Sequence, residues 1–182
     1  MTDTLADLLD LAWQRLALGV ADRNAPARYP VLATLGADGW PAARTVVLRA
    51  AQRIAGVLEI HTDTRSAKVA SLHADPRAEI VIWDPAVALQ MRLRAEVAVL
   101  TGSAAAPAWA DVPDVARGNY GSLPAPGTPI PTPLAYEKAG EAGRFAVLRA
   151  QIVAIDLLHI GPAHRRARFR RADGWTGEWL AP

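Results

Sequence analysis

Apolar positions near the start of the chain recur at helical spacing. Leu5, Leu8, Leu9, Ala12 and Leu16 form one stripe and predict a helix ending near Val20, within residues 1–21. Thr2 or Thr4 can cap it, and Asp3 and Asp7 suit the positive end of its dipole. The period then changes. Residues 29–35 and 40–50 are rich in β-prone residues and flank the turn Gly36-Ala-Asp-Gly39, which predicts a hairpin. Residues 57–62 predict a third strand after Gly56. A short helix follows over 65–74, capped by Asp63 or Thr64 and stopped by Asp75-Pro76.

Two more strands follow, over 78–83 and 89–100. In the second, Met91, Leu93, Ala95, Val97 and Val99 alternate with Arg92, Arg94 and Glu96, giving one dry and one wet face. Residues 101–120 are Ala-rich and partly helical. Residues 122–134 carry five prolines and predict a long irregular loop, so 101–140 stands as an insertion. A long strand over 145–160 and a closing hairpin around Asp173-Gly174 complete the pattern. Short connections between successive strands argue for an antiparallel sheet. So many strands favour closure into a barrel, which leaves no exposed edge. The expectation is a mainly β protein with flanking helices.

At 182 residues the chain predicts one domain, 1–182, with a core that needs no covalent staples. There are no cysteines, which excludes disulfides, thiolate metal sites and cysteine nucleophiles. A net charge of +2 is not the field of a general nucleic-acid binder. No uncharged apolar run is long enough for a membrane span, and no leader pattern appears, so the sequence predicts a cytoplasmic protein. The basic residues are almost all arginine; only Lys68 and Lys138 are lysines. Coding bias explains that, and so does anion recognition by the guanidinium fork.

Hydrolytic and metal signatures are missing. The four histidines, His61, His73, His159 and His164, show no ligand spacing, and no metal is expected. No nucleophile elbow, dinucleotide fingerprint or Walker loop is present. What remains is arginines, hydroxyls and one lysine on β-elements. Arg44 and Arg49 lie five apart on one strand, so they face opposite ways unless a bulge intervenes. His61-Thr62-Asp63-Thr64-Arg65-Ser66-Ala67-Lys68 runs from a strand end into a helix start. That gathers backbone N–H groups, hydroxyls and cations at one spot, which suits a phosphate. Gln90 can both donate to and accept from a heterocycle edge.

In order and spacing these motifs resemble the FMN-binding split-barrel family typified by pyridoxamine 5'-phosphate oxidase. The family's Arg-x-Val-Leu-Leu-Lys strand matches Arg44 to Arg49. Its Tyr-Thr-Asn and Ser-Arg-Lys elements match His61-Thr62-Asp63 and Ser66-Ala67-Lys68. Its Asn-Pro-Arg matches Asp75-Pro76-Arg77, and its Gln-Val-Arg matches Gln90-Met91-Arg92. The C-terminal turn matches residues 162–166, and the family's final Leu-Ala-Pro is Leu180-Ala181-Pro182.

The resemblance implies an antiparallel six-stranded split β-barrel, a homodimer with FMN at the interface, and a small-molecule substrate. It places Arg44, Thr62, Ser66 and Lys68 on the FMN phosphate. Thr45, Val46, Val47 and Leu48 line the flavin, with Arg49 near flavin and substrate. Gln90, His61, His159 and Arg166 complete the cofactor set, with Arg168 as the fallback for Arg166. Arg49, Arg117 and His164 become substrate-binding candidates. The departures are His61 for a tyrosine, Ala67 for a phosphate-binding arginine that Arg65 can replace, and His159 for a flavin-facing tryptophan. Pro162 stands where the oxidases hold substrate with an arginine. The implied activity is an FMN-dependent oxidoreductase resembling pyridoxamine/pyridoxine 5'-phosphate oxidase. The alternatives are an NAD(P)H-dependent flavin or quinone reductase on the same fold, and a non-catalytic FMN or haem binding protein.

Overall fold

A computed structural model describes residues 4–182; Thr2 and Asp3 lie outside the described residues. Thr4 is the cap of the first helix, α1 (Leu5–Ala21), and its Oγ1 accepts the Asp7 N–H at 3.1 Å. Leu8, Ala12, Trp13 and Leu16 form its buried face. A Cβ on Gly19 would lie 2.6 Å from the Ala27 carbonyl carbon, so the helix rests directly on the turn Pro26–Arg28. Arg15 Nε donates to Asp84 Oδ2 at 2.5 Å, and Asp84 is buried. This ion pair fastens α1 to the β-structure.

The strands follow as β1 (Val31–Leu35), β2 (Pro41–Thr45), β3 (Leu48–Gln52) and β4 (Val57–Asp63). Helix α2 (Ala67–Ala74) separates these from β5 (Arg77–Asp84) and β6 (Leu89–Leu100). Short helices α3 (Ala106–Ala110) and α4 (Asp114–Arg117) come next, then the two-residue strands β7 (Ser122–Leu123) and β8 (Glu137–Lys138). Last are β9 (Phe145–His159), β10 (Arg165–Arg170) and β11 (Gly177–Leu180).

Every pairing is antiparallel. The main ladder runs β11-β10-β9-β6-β5-β1-β2, while β4 pairs with both β3 and β9. The hydrogen bonds therefore do not run all the way round. Closure comes through the chain, because β2 and β3 are consecutive. β2 pairs with β1, and after two residues β3 pairs with β4. Counting the bent β2–β3 segment once gives six strands in the ring: β1, β2–β3, β4, β9, β6 and β5. The hairpin β10–β11 extends the sheet from the far half of β9.

Two boundaries differ from the sequence expectation. The strand over 40–50 breaks at Val46-Val47, where the chain leaves one partner for another; the Val46 N–H still reaches the Pro30 carbonyl at 2.9 Å. The helix expected from residue 65 starts at Ala67. Asp63 Oδ1 accepts the Arg65 N–H at 2.8 Å, a turn that holds Arg65 outside the helix.

The alternation in β6 is realised, with Met91, Leu93, Ala95 and Val97 buried and Arg94 and Glu96 exposed. Leu32, Leu48, Ile60, Ile80, Leu148 and Ile155 meet the dry face inside the ring. A smaller aromatic cluster holds the insertion: Phe145 lies 4.9 Å from Tyr120 and 5.2 Å from Trp109, centroid to centroid. Among the described residues no helix is long and apolar enough to cross a membrane.

Candidate functional site

Alternation along β4 divides the sequence-selected residues between two sides. Thr62 shares a face with the buried Leu58 and Ile60, while Glu59, His61 and Asp63 take the other. On the first side a polar cradle forms. Lys68 Nζ donates to Thr62 Oγ1 at 3.1 Å, and Thr62 Oγ1 lies 3.2 Å from Ser66 Oγ. Ser66 is the N-cap of α2, yet its side chain makes no capping bond, and the Val69 N–H turns back to the Ser66 carbonyl at 2.9 Å, so the Ala67 and Lys68 N–H groups keep their polarity for another acceptor. Arg44 comes from β2 and donates through Nη1 to Thr34 Oγ1 at 2.8 Å and the Leu32 carbonyl at 3.2 Å.

The electrostatics show what the cradle lacks. Burial pushes the Lys68 ammonium below its ordinary pKa, and the Arg44 charge pushes the same way. Burial likewise depresses Arg44. The nearby carboxylate, Asp63, draws Lys68 back up but is already committed to Arg65. Two half-buried cations thus face each other without a counter-ion of their own.

Asp63 ties this cradle to the insertion. Its carboxylate accepts Arg65 Nε at 3.1 Å, Arg65 Nη2 at 2.8 Å and the Gly121 N–H at 2.8 Å. Arg65 Nη2 also donates to the Ser122 carbonyl at 2.8 Å, and the Thr64 N–H to the Arg144 carbonyl at 2.8 Å. Burial opposes the charged carboxyl of Asp63, but the hydrogen bonds from Arg65 and Gly121 outweigh it and hold Asp63 below the usual carboxylate range. Arg65 therefore does not stand in for the arginine that Ala67 replaces, because its fork is spent here.

The other side of β4 opens into a cavity of about 280 Å³ lined by Arg49, Glu59 and His61 under α3 and α4. The register shifts between Leu48 and Ala50, so a bulge at Arg49 decides where that side chain points. Arg49 Nε is buried and takes no hydrogen bond among the described residues. His61 meets Phe145 edge-on at 4.8 Å. Burial, then the Arg49 charge, holds its pKa down to about 4, so the imidazole is neutral at pH 7. Arg117 lies beside this cavity, whose wall includes its neighbour Ala116. It pairs with Asp114 at 2.8 Å and stacks 5.3 Å over Trp109.

Other candidates lie elsewhere. Thr45 is exposed on the face of β2 opposite Arg44. Leu48 has its side chain in the core and its carbonyl bound by Arg28 Nη1 at 3.2 Å. Val46 is buried and its N–H is used, leaving the Val47 peptide as the group in this run that takes no hydrogen bond among the described residues. Gln90 pairs with Leu158, which pairs with Arg166, so these three form one row across β6, β9 and β10. That row is on the outward face, away from Arg44. His159 points the other way, beside the fully buried Leu89, with Nδ1 buried and unpartnered. Leu158, not His159, therefore shares a face with Gln90. Arg166 is paired with Asp156 at 3.0 Å and Arg168 with Glu178 at 2.9 Å.

His164 lies in the turn between β9 and β10. His61 pairs with Val147 near the other end of β9, so roughly 40 Å of strand separates them at ~3.3 Å per residue. Within one chain His164 does not join Arg49. The same separation keeps His61 and His159 of one chain from sharing a single iron. Among the described residues no cluster of metal-ligating side chains occurs.

Sequence reasoning missed Thr34, Leu158 and the tie made by Asp63. The Asp-x-Arg spacing at 63–65 was the available signal for the last.

Comparisons with known proteins agree with this layout. The family model described as pyridoxamine 5'-phosphate oxidase, FMN-binding domain, matches residues 11–101, half of the chain. Pyridoxine/pyridoxamine 5'-phosphate oxidase 2 of Arabidopsis thaliana is 31% identical over 94 residues, covering 50% of this chain and 48% of that protein. The chain thus matches about half the length of this curated relative. The crystal structure of a pyridoxamine 5'-phosphate oxidase-related, FMN binding protein from Nostoc punctiforme is 27% identical. It superimposes with a TM-score of 0.78 over 98% of this chain and 100% of that one. PhzG from Burkholderia lata, solved with tetrahydrophenazine-1-carboxylic acid, is 17% identical with a TM-score of 0.70 over 96% of this chain and 92% of that one. At that identity the likeness shows the fold alone.

Proposed function

The chain belongs to the pyridoxamine 5'-phosphate oxidase FMN-binding domain family, and from that premise we propose that it is an FMN-dependent oxidoreductase working as a homodimer. The observation that carries this reading is the cradle. Two cations, two hydroxyls and an uncapped helix start converge with no counter-ion. That donor set fits a phosphate monoester dianion, the terminal group of FMN. Arg44, Lys68, Thr62 and Ser66 would hold it, with the Val47 peptide toward the flavin ring. When bound, FMN supplies two-electron chemistry.

Reach supports the homodimer. Gln90 and Arg166 face outward, and His164 sits far along β9 from the Arg49 cavity. A second copy can bring its own outward row and turn to the first copy's cradle and cavity. The protein's remaining work is binding and orientation. Arg49 offers a buried, unpartnered Nε to an anionic substrate group. His61, held neutral, adds no second cation there and can accept a hydrogen bond at its bare nitrogen. We assign the substrate as a small phosphorylated amine or alcohol, with pyridoxamine and pyridoxine 5'-phosphates the first to assay.

Arg49→Gln tests the substrate role. The expected result is an increase in KM of about tenfold, the scale of one charge-assisted hydrogen bond, with FMN retained. Unchanged KM and kcat would remove Arg49 from the substrate site.

A further inference from the structure

Glu59 lines the Arg49 cavity and so far has no part in binding. It lies on the same face of β4 as His61, two residues away, and pairs with Ala50, the residue after Arg49. Facing and diagonal positions across a strand pair are about 4.5–8 Å apart, so one small molecule can reach both Arg49 and Glu59. The cavity of about 280 Å³ sets the same scale, since pockets for drug-sized ligands start near roughly 300 Å³.

The two charges do not neutralise each other. Arg49 makes no ion pair among the described residues, and its Nε is buried without a partner. The Glu59 side chain is 19% exposed and accepts no hydrogen bond among the described residues. Its cation is Arg149 on β9, whose Nε stays 4.0 Å away on a half-exposed side chain. An ion pair that long and that wet contributes little, and it leaves the carboxylate oxygens open. His61 is neutral and answers neither charge. Asp111, exposed just after α3, adds a second carboxylate to the same cavity. The cavity therefore presents an unanswered cation beside an unanswered anion.

We propose that Glu59 selects phosphorylated amines over phosphorylated alcohols: the substrate's phosphate meets Arg49 and its ammonium group meets Glu59. The inference rests on the reading of this cavity as the substrate site. An ammonium donates to the carboxylate and also balances its charge. An alcohol of the same shape donates one hydrogen bond and brings no charge, so Glu59 stays uncompensated where water is scarce. The ammonium has a second effect. It screens the phosphate from Glu59 and Asp111, like charges that otherwise oppose it.

The test is calorimetric titration of the FMN-loaded protein with pyridoxamine 5'-phosphate and, separately, pyridoxine 5'-phosphate. The FMN is reduced beforehand under argon, so that neither ligand can pass it electrons and binding alone is read. The amine is expected to bind at least tenfold more tightly than the alcohol. Glu59→Gln should erase that preference, weakening the amine about tenfold and leaving the alcohol within twofold. Arg49→Gln should weaken both ligands alike and keep the preference. A carboxylate with only a structural role would, when replaced, weaken both equally or neither. Equal binding of the two ligands by the unaltered protein would overturn the role of Glu59 and leave the substrate site standing. So would a preference that survives in Glu59→Gln. Binding of neither ligand would overturn both the role and the site.

Discussion

Lys68→Gln is expected to weaken FMN binding by about 100-fold while leaving the apoprotein as stable as before or more so. The two effects share one cause. Lys68 is charged at a cost, because burial and the Arg44 guanidinium both disfavour its ammonium form. Nothing in the protein repays that cost in full, since its hydrogen-bond partner is a neutral hydroxyl, Thr62 Oγ1. A phosphate dianion would. Losing one charge-assisted hydrogen bond and the attraction behind it costs about 2–3 kcal/mol, and about 1.4 kcal/mol is tenfold. A structural lysine would behave in the opposite way, with its removal lowering stability and leaving FMN affinity alone. FMN fluorescence titration together with thermal unfolding of the apoprotein separates the two.

The second large effect is expected at Asp63. Asp63→Asn should destabilise the protein by about 2–3 kcal/mol at pH 7. The carboxylate is 5% exposed and accepts four hydrogen bonds, three from Arg65 and one from the Gly121 N–H. An asparagine keeps one acceptor oxygen and presents an amide donor to donors, stranding buried polar groups. The sign with pH follows from the depressed pKa. A carboxyl held below its ordinary value of 3.8 contributes stability at higher pH and loses it as pH falls through the folded pKa. The gap between protein and variant should therefore be full at pH 7 and shrink below about pH 4. Denaturant unfolding at pH 7 and pH 3 measures it. The amide of Gly121 should also exchange faster in the variant, because Asp63 is what ties the insertion to the cradle. Equal stability at pH 7 would show that the tie contributes nothing.

Much of this architecture was legible in residue order. The alternation of Met91, Leu93 and Ala95 with Arg92 and Arg94 set the two faces of β6, and α1 follows its leucine stripe. The cradle was legible too, because Thr62, Ser66 and Lys68 lie on one strand-to-helix junction, where local geometry alone brings them together. What failed needed tertiary knowledge. The break at Val46-Val47 reflects a change of partner from β1 to β4 that periodicity along one strand does not carry. The odd spacing of Arg44 and Arg49 did hold, with Arg44 on the Thr62 side of β4 and Arg49 on the His61 side. His159 was placed by motif, but one residue of register sends Leu158 outward and His159 inward. Arg65 looked like a free cation until Asp63, Gly121 and Ser122 were seen to occupy its fork.

The central claim is that this chain holds FMN through the Arg44–Lys68 cradle. Its most direct test is the absorption spectrum of the purified protein after FMN addition and desalting, set beside Lys68→Gln treated alike. The account predicts a retained two-banded flavin spectrum at one FMN per chain, lost in the variant. A colourless protein, or a flavin spectrum equally strong in Lys68→Gln, would contradict it.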